Sequence, residues 1–438
     1  MLRLAFSLLV AAAAVFPGAA AAQDLAQLEA AARANRRDAD AQVAYGHALI
    51  RAARYRDAYR VLHDAARLRG NTLAAHFDAA LAAFAEGDYR RSRAACRQLE
   101  TRGRQEVLTK VCRARAFLVW NRAGRAFEEL EAAIAQDPRS FEAQLALGDA
   151  HRLRASVAEA EAAYRAAIAL DGARYEPRLG LGLLYAAARR EADALPELEA
   201  AYAREQADPT LLYELAIRKE GAEARRLLGE VVALRPEHME ARVALADLDR
   251  AAGDAAAARE GYEAVLRATP ESAPAQYGLA VLLHAEGDHP AARERLLQAL
   301  DIVPNYVDAV LLLGRTYEGT DDADEAYAQY RRANDLDPRN PEGMLRAARL
   351  ALTKRRPTFA LGFLDRLLQQ QPNLGEALAL YGDAMRARGD RQAAIRFYER
   401  ALSEGRGAFD RAATERALAE ARGERPAPGP LPRATVGG

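Results

Sequence analysis

Apolar and small residues along this chain fall into paired runs with helical spacing. The runs are separated by breakers such as Glu86-Gly87-Asp88, Gly253-Asp254, Glu286-Gly287-Asp288 and Arg388-Gly389-Asp390. Each pair reads as two antiparallel helices, and the pairs recur about every 34 residues. Leu313-Gly314, Tyr317, Ala326, Tyr330, Ala333 and Pro338 form the fullest copy. The same slots hold Gly46, Ala58, Leu62 and Ala65, then Gly148, Ala160, Tyr164 and Ala167, then Gly382, Ala394, Tyr398 and Ala401. Gly or Ala at the eighth slot and Ala at the twentieth lack bulk, so the two backbones of a pair approach closely. Tyr, Leu or Cys at the twenty-fourth fills the space beside them. Pro138, Pro236, Pro270, Pro304, Pro338 and Pro372 stop the second helices, because proline lacks the N–H that the helical ladder needs. The pattern predicts an all-α solenoid whose hairpins bury their apolar faces only against one another.

Over residues 39–408 this phrase resembles the tetratricopeptide repeat (TPR) family. The resemblance implies a right-handed superhelical α-solenoid of about eleven hairpins, with the first helices lining a concave groove that receives a protein or peptide partner. Three departures stand out. The fourth slot, where the family often has a bulky aromatic, holds Gln42, His76, Lys110, Gln144 and Arg178. Residues 205–238 leave too little chain between Leu215-Ala216 and Ala224 for a full first helix, and the turn at Glu220-Gly221 is expected to be tight. Arg113 stands where Leu is expected, so either Cys112 takes that place through a one-residue slip or the register differs there.

The ends read differently. Arg3, the apolar run Leu4 to Phe16, Pro17-Gly18 and Ala20-Ala21-Ala22 before Gln23 predict a signal peptide over residues 1–22, with a retained inner-membrane anchor as the alternative. The expected location is the periplasm, with no membrane span in the mature chain. Leu25, Leu28, Ala31 and Ala32 predict an N-terminal capping helix within 23–38. Ala412, Ala413, Ala417 and Leu418 predict a C-terminal one over 409–422. The Pro-rich segment 423–438 is expected to be a disordered tail.

Half the residues are apolar and 28% are charged, which suits solvated helices. Sixty-two acidic residues balance sixty-two basic ones, so no positive field recruits nucleic acid. The seven histidines are scattered, with no His-Glu-x-x-His. His284 and His289 flank an exposed-type turn, and Gly180-x-Gly182 follows no strand. Catalytic residues, metal and cofactor are therefore all expected to be absent. Cys96 and Cys112 sit on helices that should pack together. Two buried thiols acting as small hydrophobes are favoured over a disulfide.

Recognition is assigned to the inner surface. The slots that the resemblance turns into the groove, with their neighbours, hold Phe77, Leu81, Phe84, Val111, Arg115, Leu118, Val119, Leu179 and Leu183. Facing water they would form a docking surface for an apolar segment; the alternative is that tight curvature covers them. Further on, Glu240, Asp247, Arg250, Asp308, Arg315, Glu318, Glu342, Arg349, Glu376, Asp383 and Arg386 alternate in charge, to pair along a helix or to read polar peptide groups. The family's carboxylate clamp uses Lys and Asn, which these slots lack. The expected role is a non-catalytic scaffold in envelope, secretion or polysaccharide-export assembly. An accessory subunit of an envelope enzyme is the alternative, and the oligomeric state stays open.

Overall fold

A computed structural model describes residues 21–52, 54–68, 74–102 and 106–424. The expected signal peptide lies outside these residues except for its last two positions, and the expected tail does so from 425 onward. Among the described residues the chain forms twenty-four α-helices and no strand. Two compact units are present, Met1–Leu248 and Asp249–Gly438.

The first unit opens with the lone helix α1 (Ala21–Ala34). Hairpins follow: α2 (Ala39–Arg51) with α3 (Tyr55–Ala65), α4 (Ala74–Ala85) with α5 (Tyr89–Arg102), α6 (Glu106–Val119) with α7 (Ala123–Gln136), and α8 (Phe141–Leu153) with α9 (Val157–Leu170). They continue with α10 (Glu176–Ala187) and α11 (Glu191–Tyr202), then α12 (Pro209–Ala216) and α13 (Gly221–Leu234). The boundary between the units falls inside α14 (Met239–Ala251). The second unit contains α15 (Ala255–Ala268), α16 (Ala273–Ala285) with α17 (His289–Ile302), α18 (Val307–Gly319) with α19 (Ala323–Leu336), α20 (Pro341–Thr353) with α21 (Pro357–Gln370), and α22 (Gly375–Ala387) with α23 (Arg391–Glu404). It closes with α24 (Arg411–Arg422).

Outside the first hairpin and the α12–α13 pair, the turns inside the hairpins are built the same way. One residue with left-handed φ ends the first helix, as at Gly87, Asn121, Ala155 and Arg189, and again at Gly253, Gly287, Asp321, Arg355 and Gly389. The next residue caps the second helix. Asp254, Asp288, Asp322 and Asp390 each accept a hydrogen bond from a backbone N–H three positions on, satisfying one of the donors a helix start leaves open. Gly-Asp in the sequence thus encodes a helix stop followed directly by a helix start.

Packing follows the slots. A methyl group on Gly148 would lie 2.6 Å from the Tyr164 ring, and one on Gly180, in the next hairpin, would lie 2.6 Å from the same ring. Tyr164, Tyr262, Tyr330 and Tyr398 are all but fully buried at the twenty-fourth slot. There is no slip at Arg113. Val111, Cys112, Ala114 and Arg115 are buried around a half-buried Arg113, as Leu145, Ala146, Gly148 and Asp149 are around a half-buried Leu147. Arg113 fits because its guanidinium reaches Glu129 at 2.8 Å and Glu100 at 3.7 Å.

Two expectations are corrected here. The first helix near 205–238 is short as expected, α12 having eight residues, but the turn expected to be tight is not: 217–220 is no tighter than the three-residue turns of the other hairpins. Cys96 and Cys112 are joined in a disulfide, with Cα atoms 5.9 Å apart, and are not two free thiols. Antiparallel packing of α5 on α6 brings the twenty-fourth slot of one hairpin against the first helix of the next, within reach of a bridge.

Candidate partner-binding groove

The apolar positions assigned to the groove are interior in the first unit. Phe77, Leu81, Phe84, Val111, Arg115, Leu179 and Leu183 are buried, and Leu118 and Val119 are half-buried. The expectation that these side chains face water is therefore corrected. First helices pack on one another, α4 on α6, α6 on α8 and α8 on α10, so the inner face is filled by its own side chains. The curvature also brings the first hairpin to the far side of the unit. Burial raises the Tyr55 phenol above its ordinary value, helped by the Asp208 carboxylate and opposed by Arg235. Glu205 likewise lies within the field of Arg51.

Charge is enclosed with them. Arg115 Nη2 stands 3.4 Å from Asp149 Oδ2, and Asp149 accepts a 2.8 Å hydrogen bond from the Tyr164 hydroxyl, which also accepts from Arg152 Nε at 3.2 Å. Burial pushes the Asp149 carboxyl up against the opposing pull of Arg115 and Arg152, and it pulls the Arg115 guanidinium down. Arg174 bridges Glu176 (2.8 Å) and Glu142 (3.1 Å) beside them. The space left between these groups is about 10 Å³, the size of one water molecule, so a peptide side chain has no room.

The inner face of the second unit is open. A groove of about 690 Å³ runs along α20, α22 and α24, lined by Arg349, Glu376, Asp383, Arg386, Phe409 and Glu420 among others. Charges in the groove and on the helices leading to it pair mainly between helices rather than along one. Arg315 reaches Glu342 (3.8 Å), Arg346 reaches Glu318 (2.9 Å), Arg349 pairs with Glu376, and Arg386 reaches Glu420 (2.8 Å) while keeping Asp383 at 3.6 Å. Tyr398 donates a 2.7 Å hydrogen bond to Asp383, and burial with that bond holds its phenol well above the ordinary value. The ladder thus joins successive helices through pairs that stay partly exposed to solvent.

The end wall comes from an irregular segment. Gly375 N–H donates to Arg406 O at 2.9 Å, and Arg406 N–H donates to Asn373 O at 2.6 Å, which ties residues 405–407 to the start of α22. Gly375 also leaves room for the Phe409 ring, which any side chain there would strike. Phe409 thus precedes the final helix, which begins at Arg411. Spacing alone identified the charged slots but gave no sign of this wall, because it depends on two glycines and a backbone contact across about thirty residues.

Among the described residues no helix is long and apolar enough to cross a membrane. The sequence profile of the tetratricopeptide repeat matches residues 113–176 and 243–307, and a second profile of the same repeat matches 283–348. No curated protein is a significant sequence match. Similar solved structures include Pseudomonas aeruginosa pilF, at 18% identity over 50% of this chain and 97% of that one, with a TM-score of 0.43. Yeast Tom70 shows 13% identity over 88% and 95%, with a TM-score of 0.43. YrrB, described as a TPR protein with an unusual peptide-binding site, shows 17% identity over 40% and 90%, with a TM-score of 0.36. Residues 113–176 and 243–348 thus carry tetratricopeptide repeats, and the described chain around them is built as the same successive helix hairpins.

Proposed function

We propose that this protein is a non-catalytic scaffold that holds a segment of another protein in the groove along α20, α22 and α24. The open 690 Å³ space carries this reading, because it is the one inner-face region described above with room for a ligand. Its lining alternates arginine and carboxylate, which matches the mixed polar groups of a peptide, and Leu380 and Phe409 supply apolar contact. Preformed helices hold these groups, so little ordering entropy opposes association.

The site of action is the cell envelope, reached by export, with a role in assembling a secretion or polysaccharide-export complex. The Cys96–Cys112 disulfide supports export, since such bonds persist in oxidising compartments. The basic and apolar start of the sequence supports it too.

The test selects ligands for the folded protein from a random peptide library and measures their affinity for an Arg349→Glu/Arg386→Glu variant. Binding is expected to weaken at least tenfold while helicity stays unchanged. Equal affinity in the variant would place recognition elsewhere.

A further inference from the structure

A second cleft, of about 320 Å³, lies between α5 and α6 in the first unit. Its α6 wall is made by Arg113 and Phe117, continued by Trp120 in the turn that follows the helix. The interior positions of that helix, Val111, Arg115 and Leu118, follow the same spacing two residues earlier. Two residues turn a helix by about 200°, so the cleft is on the face opposite the filled inner surface. Trp120 is the chain's only tryptophan and is 42% exposed. The Arg93 guanidinium lies 5.9 Å from its ring centre, and Phe117 meets it edge-on at 6.2 Å.

The cleft is strongly unbalanced in charge. Among the described residues, Arg93, Arg97, Arg113 and Arg122 line it against Glu100 alone, in a chain whose total charge is zero. Arg113 is occupied by Glu129 and Glu100, yet its Nε is buried with no acceptor. Arg93, Arg97 and Arg122 have no carboxylate partner among the described residues. Cys96 also lines the cleft, and its disulfide to Cys112 ties the two walls together. An exposed aromatic ring beside one unpaired guanidinium, with two more in the same braced cleft, is a site suited to carboxylates.

We propose that this cleft binds an acidic peptide segment of a partner protein, in which carboxylates flank one apolar side chain. The apolar side chain rests on Trp120 and Phe117, and the carboxylates take the forked donors of Arg93, Arg97 and Arg122. A nucleic acid would need a basic stripe far longer than this cleft, and a membrane surface would need an outward-facing patch rather than a concave one.

The single tryptophan makes the site directly observable. Trp120 emission in the full chain is followed while adding a peptide of four glutamates around one leucine, with its glutamine analogue and inorganic phosphate as separate controls. The acidic peptide is expected to change the emission saturably. Affinity should fall at least tenfold in Arg93→Glu/Arg97→Glu, whose side chains are exposed so that helicity and melting stay as in the parent. The glutamine analogue should give no response. An unchanged affinity in the variant, no saturable change, or an equal response to phosphate would overturn the proposal. The Arg349→Glu/Arg386→Glu variant should keep the Trp120 response, so this result stands or falls apart from the groove in the second unit.

Discussion

At the scale of single residues, the hairpin turn has one demanding position, and the sequence meets it unevenly. Glycine fills it at 87, 253, 287 and 389, but Ala155, Arg189 and Arg355 hold φ of 57°, 58° and 55°. A left-handed backbone costs an L-residue roughly 1–2 kcal/mol, whereas glycine's extra freedom in the unfolded chain costs about 0.5–1 kcal/mol. Ala155→Gly is therefore expected to stabilise the protein by up to about 1 kcal/mol, read as a higher urea midpoint with an unchanged slope. A lower midpoint would mean that the turn is not strained by alanine. Legibility at this scale was high wherever one residue answers to one neighbour. Gly148 beneath Tyr164 was readable as a small residue under a large one. Arg113 left a slip and a change of register both open, because its partners Glu129 and Glu100 lie on neighbouring helices and not at a fixed spacing.

At the scale of elements, the helices and their pairing were readable from period and breakers, while contacts between pairs were not. Sixteen residues separate Cys96 from Cys112, and that spacing says nothing about whether two side chains face each other across α5 and α6. Closing a loop of this size restrains the unfolded chain by about 3 kcal/mol. Cys96→Ser/Cys112→Ser should lower the stability of the first unit by roughly that amount. In the parent, reductant should produce a similar drop in melting temperature, and in the double variant it should produce none. A parent indifferent to reductant, with a stability equal to the variant's, would argue for separate thiols.

At the scale of the whole molecule, the sequence assigns positions to the inner face but carries no sign of their exposure. Exposure depends on curvature, which arises from many small angles between helices and is written at no single slot. In the first unit that curvature buries Phe77, Leu81 and Phe84 together with the Arg115–Asp149 pair. Removing one member of an enclosed pair strands the other charge, at about 3–5 kcal/mol. Asp149→Ala should thus speed amide exchange through α6, α8 and α10, while exchange in α20 to α23 keeps its parental rate, as expected when each hairpin's stability depends on its neighbours. Uniform acceleration in both units would refute that local coupling.

The brevity of α12 carries one more consequence. Arg189 and Gly253 are 64 residues apart, four fewer than two of the 34-residue steps that separate Gly87, Asn121 and Ala155. Four residues sweep about 400° around a helix axis, only some 40° beyond a full revolution. Leu211, Leu212 and Leu215 consequently still meet the interior. A loss of two residues would instead have swung the oily stripe of that helix out to solvent, so this architecture can shed length only a whole coil at a time.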